Sequence, residues 1–290
     1  MRAVPFVCLA IVALYVAARL RRAARAERRA LALGLAGLAA TAWIAEDTVV
    51  RAYGFYAYGA HLGPTLDRVP LLVALIWSVV IDSSAVLAGR LGGPSASAAR
   101  HALVAGGIVL ADASLIEPVA VRAGLWWWTE PGLFAVPPIG ILGWALFTSA
   151  CVWVRGHPRA GMTTRAAWPR SFVLPPLLTH IALVALWWTA FRWISAPIGS
   201  WSGAIAVWPV ALALTAASLR RDLRRRVPPA DMLVRVPGAL FFYALLAIFG
   251  RHDTALLVYC AAFAWPYLSL VSVPRGGQLW HPEKMRGHGG

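Results

Sequence analysis

The chain has 290 residues, of which 60% are hydrophobic and 13% charged, with a mean hydropathy of +0.66 and a formal net charge of +15. Such a composition excludes an ordinary soluble domain and indicates a polytopic membrane protein. The basic excess does not indicate a nucleic-acid partner, because the charges sit in short clusters between apolar runs of spanning length and read as topology signals.

In chain order the apolar runs predict an all-α transmembrane helix bundle of about nine spans, at roughly 3–18, 30–50, 69–90, 101–121, 137–154, 171–194, 201–219, 236–250 and 254–273. The first run is short, but no small-residue cleavage site precedes the basic stretch Arg19 to Arg29, so it reads as an anchor with a stop-transfer flank. Basic residues accumulate on the cytoplasmic side. With the N-terminus out and the C-terminus in, 21 of the 27 arginines and lysines fall inside and six outside. This predicts one transmembrane domain over 1–274, a cytoplasmic tail over 275–290, and a multi-pass place in a bacterial inner membrane.

Span two carries Glu46-Asp47 near its outer end, and the loop after it carries Tyr53, Phe55, Tyr56, Tyr58 and His61. Span three carries Trp77 and Asp82, the latter followed by Ser83-Ser84. Gly106-Gly107 in span four reads as close helix packing, not as a nucleotide loop. The same span holds Asp112 and Glu117, and the loop behind it holds Trp126, Trp127 and Trp128, with Trp144 in span five. A carboxyl group in hydrocarbon is costly and is a functional-site hypothesis by default. Asp112 falls near mid-depth, Glu117 roughly one and a half turns higher, and Asp82 approaches mid-depth from the other direction. These acids can share one cavity roofed by two aromatic loops, whose rings stabilise a cation. The alternative is that the rings form an ordinary interfacial belt and that Asp82 and His180 are hydrogen-bonding links between helices.

Missing motifs narrow the chemistry. The seven histidines are scattered, unlike those of membrane di-iron enzymes, and no DxxxD or DDxxD run is present to hold magnesium for a diphosphate. There is no G-x-S-x-G elbow or CxxC pair, and Cys8, Cys151 and Cys260 read as small core residues. No metal or other cofactor is expected.

Glu46, Tyr53-Gly54-Phe55-Tyr56-Ala57-Tyr58, Val69-Pro70-Leu71 with Trp77, Asp112-x4-Glu117-Pro118, Gly124-Leu125-Trp126-Trp127-Trp128, Val136-Pro137 and Gly143-Trp144 form a combined pattern over roughly residues 43–150. It resembles the integral-membrane carotenoid biosynthesis proteins, among them the bacterioruberin-pathway hydratase and the gamma-carotene 1'-hydroxylase. Beyond that stretch the likeness is mainly one of hydropathy. The family pattern commonly has Asp where this chain has Glu117, and Asn near Pro138-Ile139-Gly140.

The resemblance implies a cofactor-independent carotenoid hydratase that adds water to the terminal C1=C2 double bond of an acyclic (ψ) end group. In that reading Asp112 is the general acid and Glu117 orients water, with Glu46 and Asp82 as the next acids. Tyr53, Tyr56, Tyr58, Trp77, Trp126, Trp127, Trp128 and Trp144 line the substrate. The partners implied are the carotenoid, membrane lipid and other carotenoid enzymes. Two alternatives stay open: a proton-initiated carotene or terpene cyclase, which would use the same acid but exclude water, and a non-enzymatic transporter. A transporter would be favoured by inverted repeats with broken helices. No convincing repeat is evident, although Pro118, Pro175-Pro176 and Pro209 interrupt spans.

Overall fold

The computed structural model describes residues 2–93, 96–156, 164–221, 223 and 227–270, and the expected tail over 275–290 lies outside them. Nine α-helices account for most of the described chain: α1 (Val4–Arg22), α2 (Arg28–Tyr53), α3 (Leu71–Gly92), α4 (Ala98–Arg122), α5 (Pro138–Gly156), α6 (Thr164–Thr189), α7 (Ser200–Arg220), α8 (Arg235–Phe249) and α9 (Thr254–Leu270). Among the described residues, eight helical stretches are long and apolar enough to cross a membrane, the eighth beginning at Pro229 with a short 3-10 turn ahead of α8. α9, at 17 residues, is shorter than the ~20 that a span requires. The protein is thus an all-α polytopic bundle, as its hydropathy predicts.

The outside of the bundle is apolar: Leu9, Leu103, Ile181, Ile205, Leu240 and Ile248 are all exposed. That distribution suits hydrocarbon, where helices gain nothing by hiding leucine from lipid and associate through close packing instead. Gly106 illustrates the packing. A Cβ there would sit 2.0 Å from Ser149 Oγ and 2.8 Å from the Ala145 carbonyl, so only glycine lets α4 lie this close to α5. Gly107, beside it, faces open space.

The irregular backbone between α2 and α3 and between α4 and α5 joins in a two-stranded antiparallel ribbon. Strand β1 (Tyr56–Tyr58) pairs with a later strand (Trp126–Trp128), in the register Tyr56 to Trp128, Ala57 to Trp127 and Tyr58 to Trp126. Backbone bonds from Thr129 N–H to Phe55 O and from Gly59 N–H to Leu125 O continue it at both ends. Gly59 is required there, since a Cβ would lie 2.7 Å from the Gly124 carbonyl. The loop after β1 makes a smaller ribbon, β2 (Thr65–Leu66) with β3 (Val69–Pro70), which makes the strand Trp126–Trp128 β4. Arg51 holds this loop, bonding Asp47 at 2.8 Å and pairing with Asp67. At the opposite, basic end of the bundle Arg22 and Arg90 converge on Asp231.

Candidate functional site

Because side chains alternate across a strand, the ribbon sorts its central residues by face. Tyr56, Tyr58, Trp126 and Trp128 point into the bundle and line a cavity of about 390 Å³. Trp127, from the opposite face, is 52% exposed and does not line it. Its expected place among the substrate-binding residues therefore does not match the fold, because the strand period turns it away from the residues on either side.

The four inward rings hold two glutamates. Glu117, on α4, is 2% exposed and accepts three indole N–H bonds: Trp126 Nε1 at 2.8 Å and Trp128 Nε1 at 2.9 Å to Oε2, and Trp144 Nε1 at 2.7 Å to Oε1. Glu46, on α2, accepts from Trp77 Nε1 at 2.6 Å through Oε1, and from Tyr58 Oη at 2.6 Å and Tyr56 Oη through Oε2. Burial pushes both phenols well above the ordinary tyrosine value, so they act as neutral donors. The two centres touch through Trp77 and Trp144, whose ring centroids are 4.5 Å apart.

Satisfying these donors constrains the acids. An indole N–H only donates, whereas a phenol both donates and accepts. On Glu117 the carbonyl oxygen of a neutral carboxyl has two lone pairs for Trp126 and Trp128, and the hydroxyl oxygen has one for Trp144. Its hydrogen then has no acceptor among the three partners and is free to face the cavity. On Glu46 the corresponding hydrogen can pass to a tyrosine oxygen.

The two centres are built by the same device. A glutamate near the end of a helix precedes a ribbon strand with two inward rings, and a Val-Pro pair then opens a helix whose second turn carries the third donor. The sequence echoes this as Glu46-x9-Tyr56-x-Tyr58, then Val69-Pro70-x6-Trp77, and as Glu117-x8-Trp126-x-Trp128, then Val136-Pro137-x6-Trp144. The antiparallel ribbon is symmetric in register about the central pair Ala57 and Trp127, so the two inward rings of each strand face those of the other. This is a repeat that hydropathy alone does not suggest, because its halves share only a few positions at unequal loop lengths. The doubled Val-Pro-x6-Trp was the available signal. In the second half Gly140 makes room for the Trp128 ring, which a Cβ there would meet at 2.6 Å. That is the region where the family pattern commonly has Asn.

The two aspartates are placed differently. Asp112 lines the cavity, but its carboxylate is engaged by the guanidinium of Arg235, the first residue of α8, and by Tyr267 of α9. Asp82 does not line the cavity; it accepts from Tyr15 at 2.7 Å and from Arg19 at 2.8 Å, tying α3 to α1. Of the remaining aromatics, Tyr53 lines the cavity and bonds His180 Nδ1 at 2.8 Å, while His180 Nε2 reaches Thr48 at 2.9 Å, linking α6 to α2. Arg235, Tyr267 and Tyr15 were not anticipated from sequence. Their partners lie 67 to 155 residues away, beyond any local spacing signal.

A family model described as "Carotenoid biosynthesis protein" matches residues 3–207, extending on both sides beyond the stretch in which the motifs are concentrated. No curated protein and no solved structure matches the chain.

Proposed function

Since the chain belongs to the carotenoid biosynthesis protein family, we propose that it adds water to the terminal C1=C2 double bond of an acyclic carotenoid end group, with Glu117 as proton donor and Glu46 as the group that handles water. The observation that carries this is the contrast between the partners of the two glutamates and those of Asp112. A carboxyl in a low-dielectric cavity keeps its proton unless a cation compensates the charge. Asp112 has such a cation in Arg235, and an ion-paired carboxylate has no proton to give. The donor role first expected of Asp112 therefore passes to Glu117, whose indole partners only donate and so offer its hydrogen no acceptor.

The steps balance with water as the only co-reactant. Glu117 transfers its proton to C2, the C1=C2 electron pair forms the new C–H bond, and positive charge develops at the tertiary C1. The three indole N–H groups stabilise the carboxylate left behind, and the faces of the surrounding rings stabilise the cation. Water attacks C1, and its proton enters the Glu46 centre as another leaves that centre through the phenols toward the Glu117 carboxylate, giving the tertiary alcohol. That transfer to Glu117 restores the site, and no atom undergoes net oxidation by an external acceptor. The bundle lies in a bacterial inner membrane with the ribbon on the outer side, in keeping with the arginine distribution.

The test is expression in a host that accumulates an acyclic carotene, with pigment masses as readout. The expected product is heavier than the carotene by one water per modified end, whereas a cyclase product keeps the mass of its substrate. Glu117→Gln preserves size and keeps a carbonyl acceptor for two of the three indoles but cannot donate an acid proton, so turnover should fall about 10²- to 10⁴-fold with the protein still in the membrane. Turnover near wild type in Glu117→Gln would remove it as the donor.

A further inference from the structure

We propose that Arg235, Asp112, Tyr267 and Ser83 form a second binding station in the same cavity, and that it takes one neutral hydroxyl oxygen, from water or from an alcohol on an isoprenoid chain. Arg235 is 8% exposed and lines the cavity. Its Nη1 pairs with Asp112 and its Nη2 bonds Ser83 Oγ at 3.3 Å, but its buried Nε–H has no partner. A buried guanidinium N–H without an acceptor is unfavourable, and here it belongs to a wall of the substrate cavity.

The charges select the ligand. Arg235 and Asp112 cancel, and an anion at Nε would lie beside the Asp112 carboxylate, so the station suits a neutral group. A carboxylate has room for more hydrogen bonds than the two that Arg235 and Tyr267 supply. A hydroxyl meets both needs, accepting from Arg235 Nε–H and donating to Asp112. A hydrocarbon meets neither. Packing alone does not require this arrangement, because buried ion pairs are often replaceable by apolar groups of similar volume without loss of stability. Asp112 and Glu117 are five residues apart on α4, so the station lies roughly 7.5 Å along the helix from the proposed proton donor. An alcohol held there orients a substrate already hydroxylated on its chain; a water held there supplies the addition.

The experiment uses the full chain in lipid nanodiscs and the double variant Arg235→Met/Asp112→Leu, which keeps net charge and approximate volume and avoids leaving either charge unpaired. Binding of an acyclic C40 carotene and of the corresponding tertiary alcohol is read by quenching of tryptophan fluorescence, and water addition is read by product mass. If the station holds an alcohol, affinity for the alcohol falls about tenfold or more while that for the carotene changes little. If it holds water, both affinities are retained, water addition falls by a similar factor, and deuterium from D2O still enters the recovered carotene. Unchanged affinities together with an unchanged rate overturn the station. The proposal rests on the cavity being the substrate site of the hydratase reading, yet the two fail separately. If the wild-type chain adds no water to any carotene, that reading fails and with it a station that supplies water for addition, so the affinity comparison alone decides: a loss selective for the alcohol supports the station and no loss overturns it.

Discussion

Tyr56 and Trp128 face each other directly across the ribbon, with ring centroids 4.7 Å apart, yet their polar atoms serve different acids: the phenol donates to Glu46 and the indole to Glu117. One pair of residues thus ties together the two halves of the site. Displacing either ring disturbs both carboxyl groups, so the ribbon itself sets the spacing between proton donor and water-handling centre.

The alternation of the ribbon gives a comparison within three consecutive residues. Trp126→Phe and Trp128→Phe each keep an aromatic ring but remove one N–H bond to Glu117, and each should lower the rate of product formation by about tenfold. Trp127→Phe, on the exposed face, should leave it unchanged. Equal losses at all three positions in a pigment assay would mean that the tryptophans act through folding or the membrane interface.

The phenols should control the fate of the cation. Tyr56→Phe/Tyr58→Phe removes the two phenols at Glu46, groups able both to donate and to accept a proton. Protonation by Glu117 should continue while water capture fails, so deuterium from D2O should appear in recovered or isomerised carotene with little alcohol formed. A loss of exchange equal to the loss of alcohol would place the phenols in the protonation step instead.

Gly140 tests the seat of Trp128. Gly140→Ala sets a Cβ against the Trp128 ring at 2.6 Å, and the ring, held on its other side by Glu117 and Tyr56, has little room to move. Overpacking of this kind should cost about 1–3 kcal/mol, seen as a lower unfolding temperature in detergent, together with reduced turnover. Gly107→Ala, in open space on α4, should lower neither.

Topology can be checked independently of activity. Reporter fusions in the segment around Glu130 should report the outer side, and fusions after Arg90 or after Arg220 should report the cytoplasm, because clustered arginines are retained there. A cytoplasmic signal near Glu130 would turn the bundle over and place the ribbon on the inner side.

The sequence by itself determined the class of the protein, the positions of its spans and the acids worth considering, because each depends on local composition: the length of an apolar run, or a carboxyl inside one. Glu46 and Glu117 could be singled out on that basis, and Trp77 and Trp144 through the family resemblance. Which acid has a cation beside it could not, because that depends on helix rotation and on contacts across the bundle. Asp112 meets Arg235 from 123 residues away, and Asp82 meets Arg19 from 63. The repeat was present in the sequence as Val-Pro-x6-Trp doubled, but its meaning came only with strand pairing. Register decides which ring of each neighbouring pair faces inward, and so separates Trp126 and Trp128, bonded to Glu117, from Trp127 on the outer face.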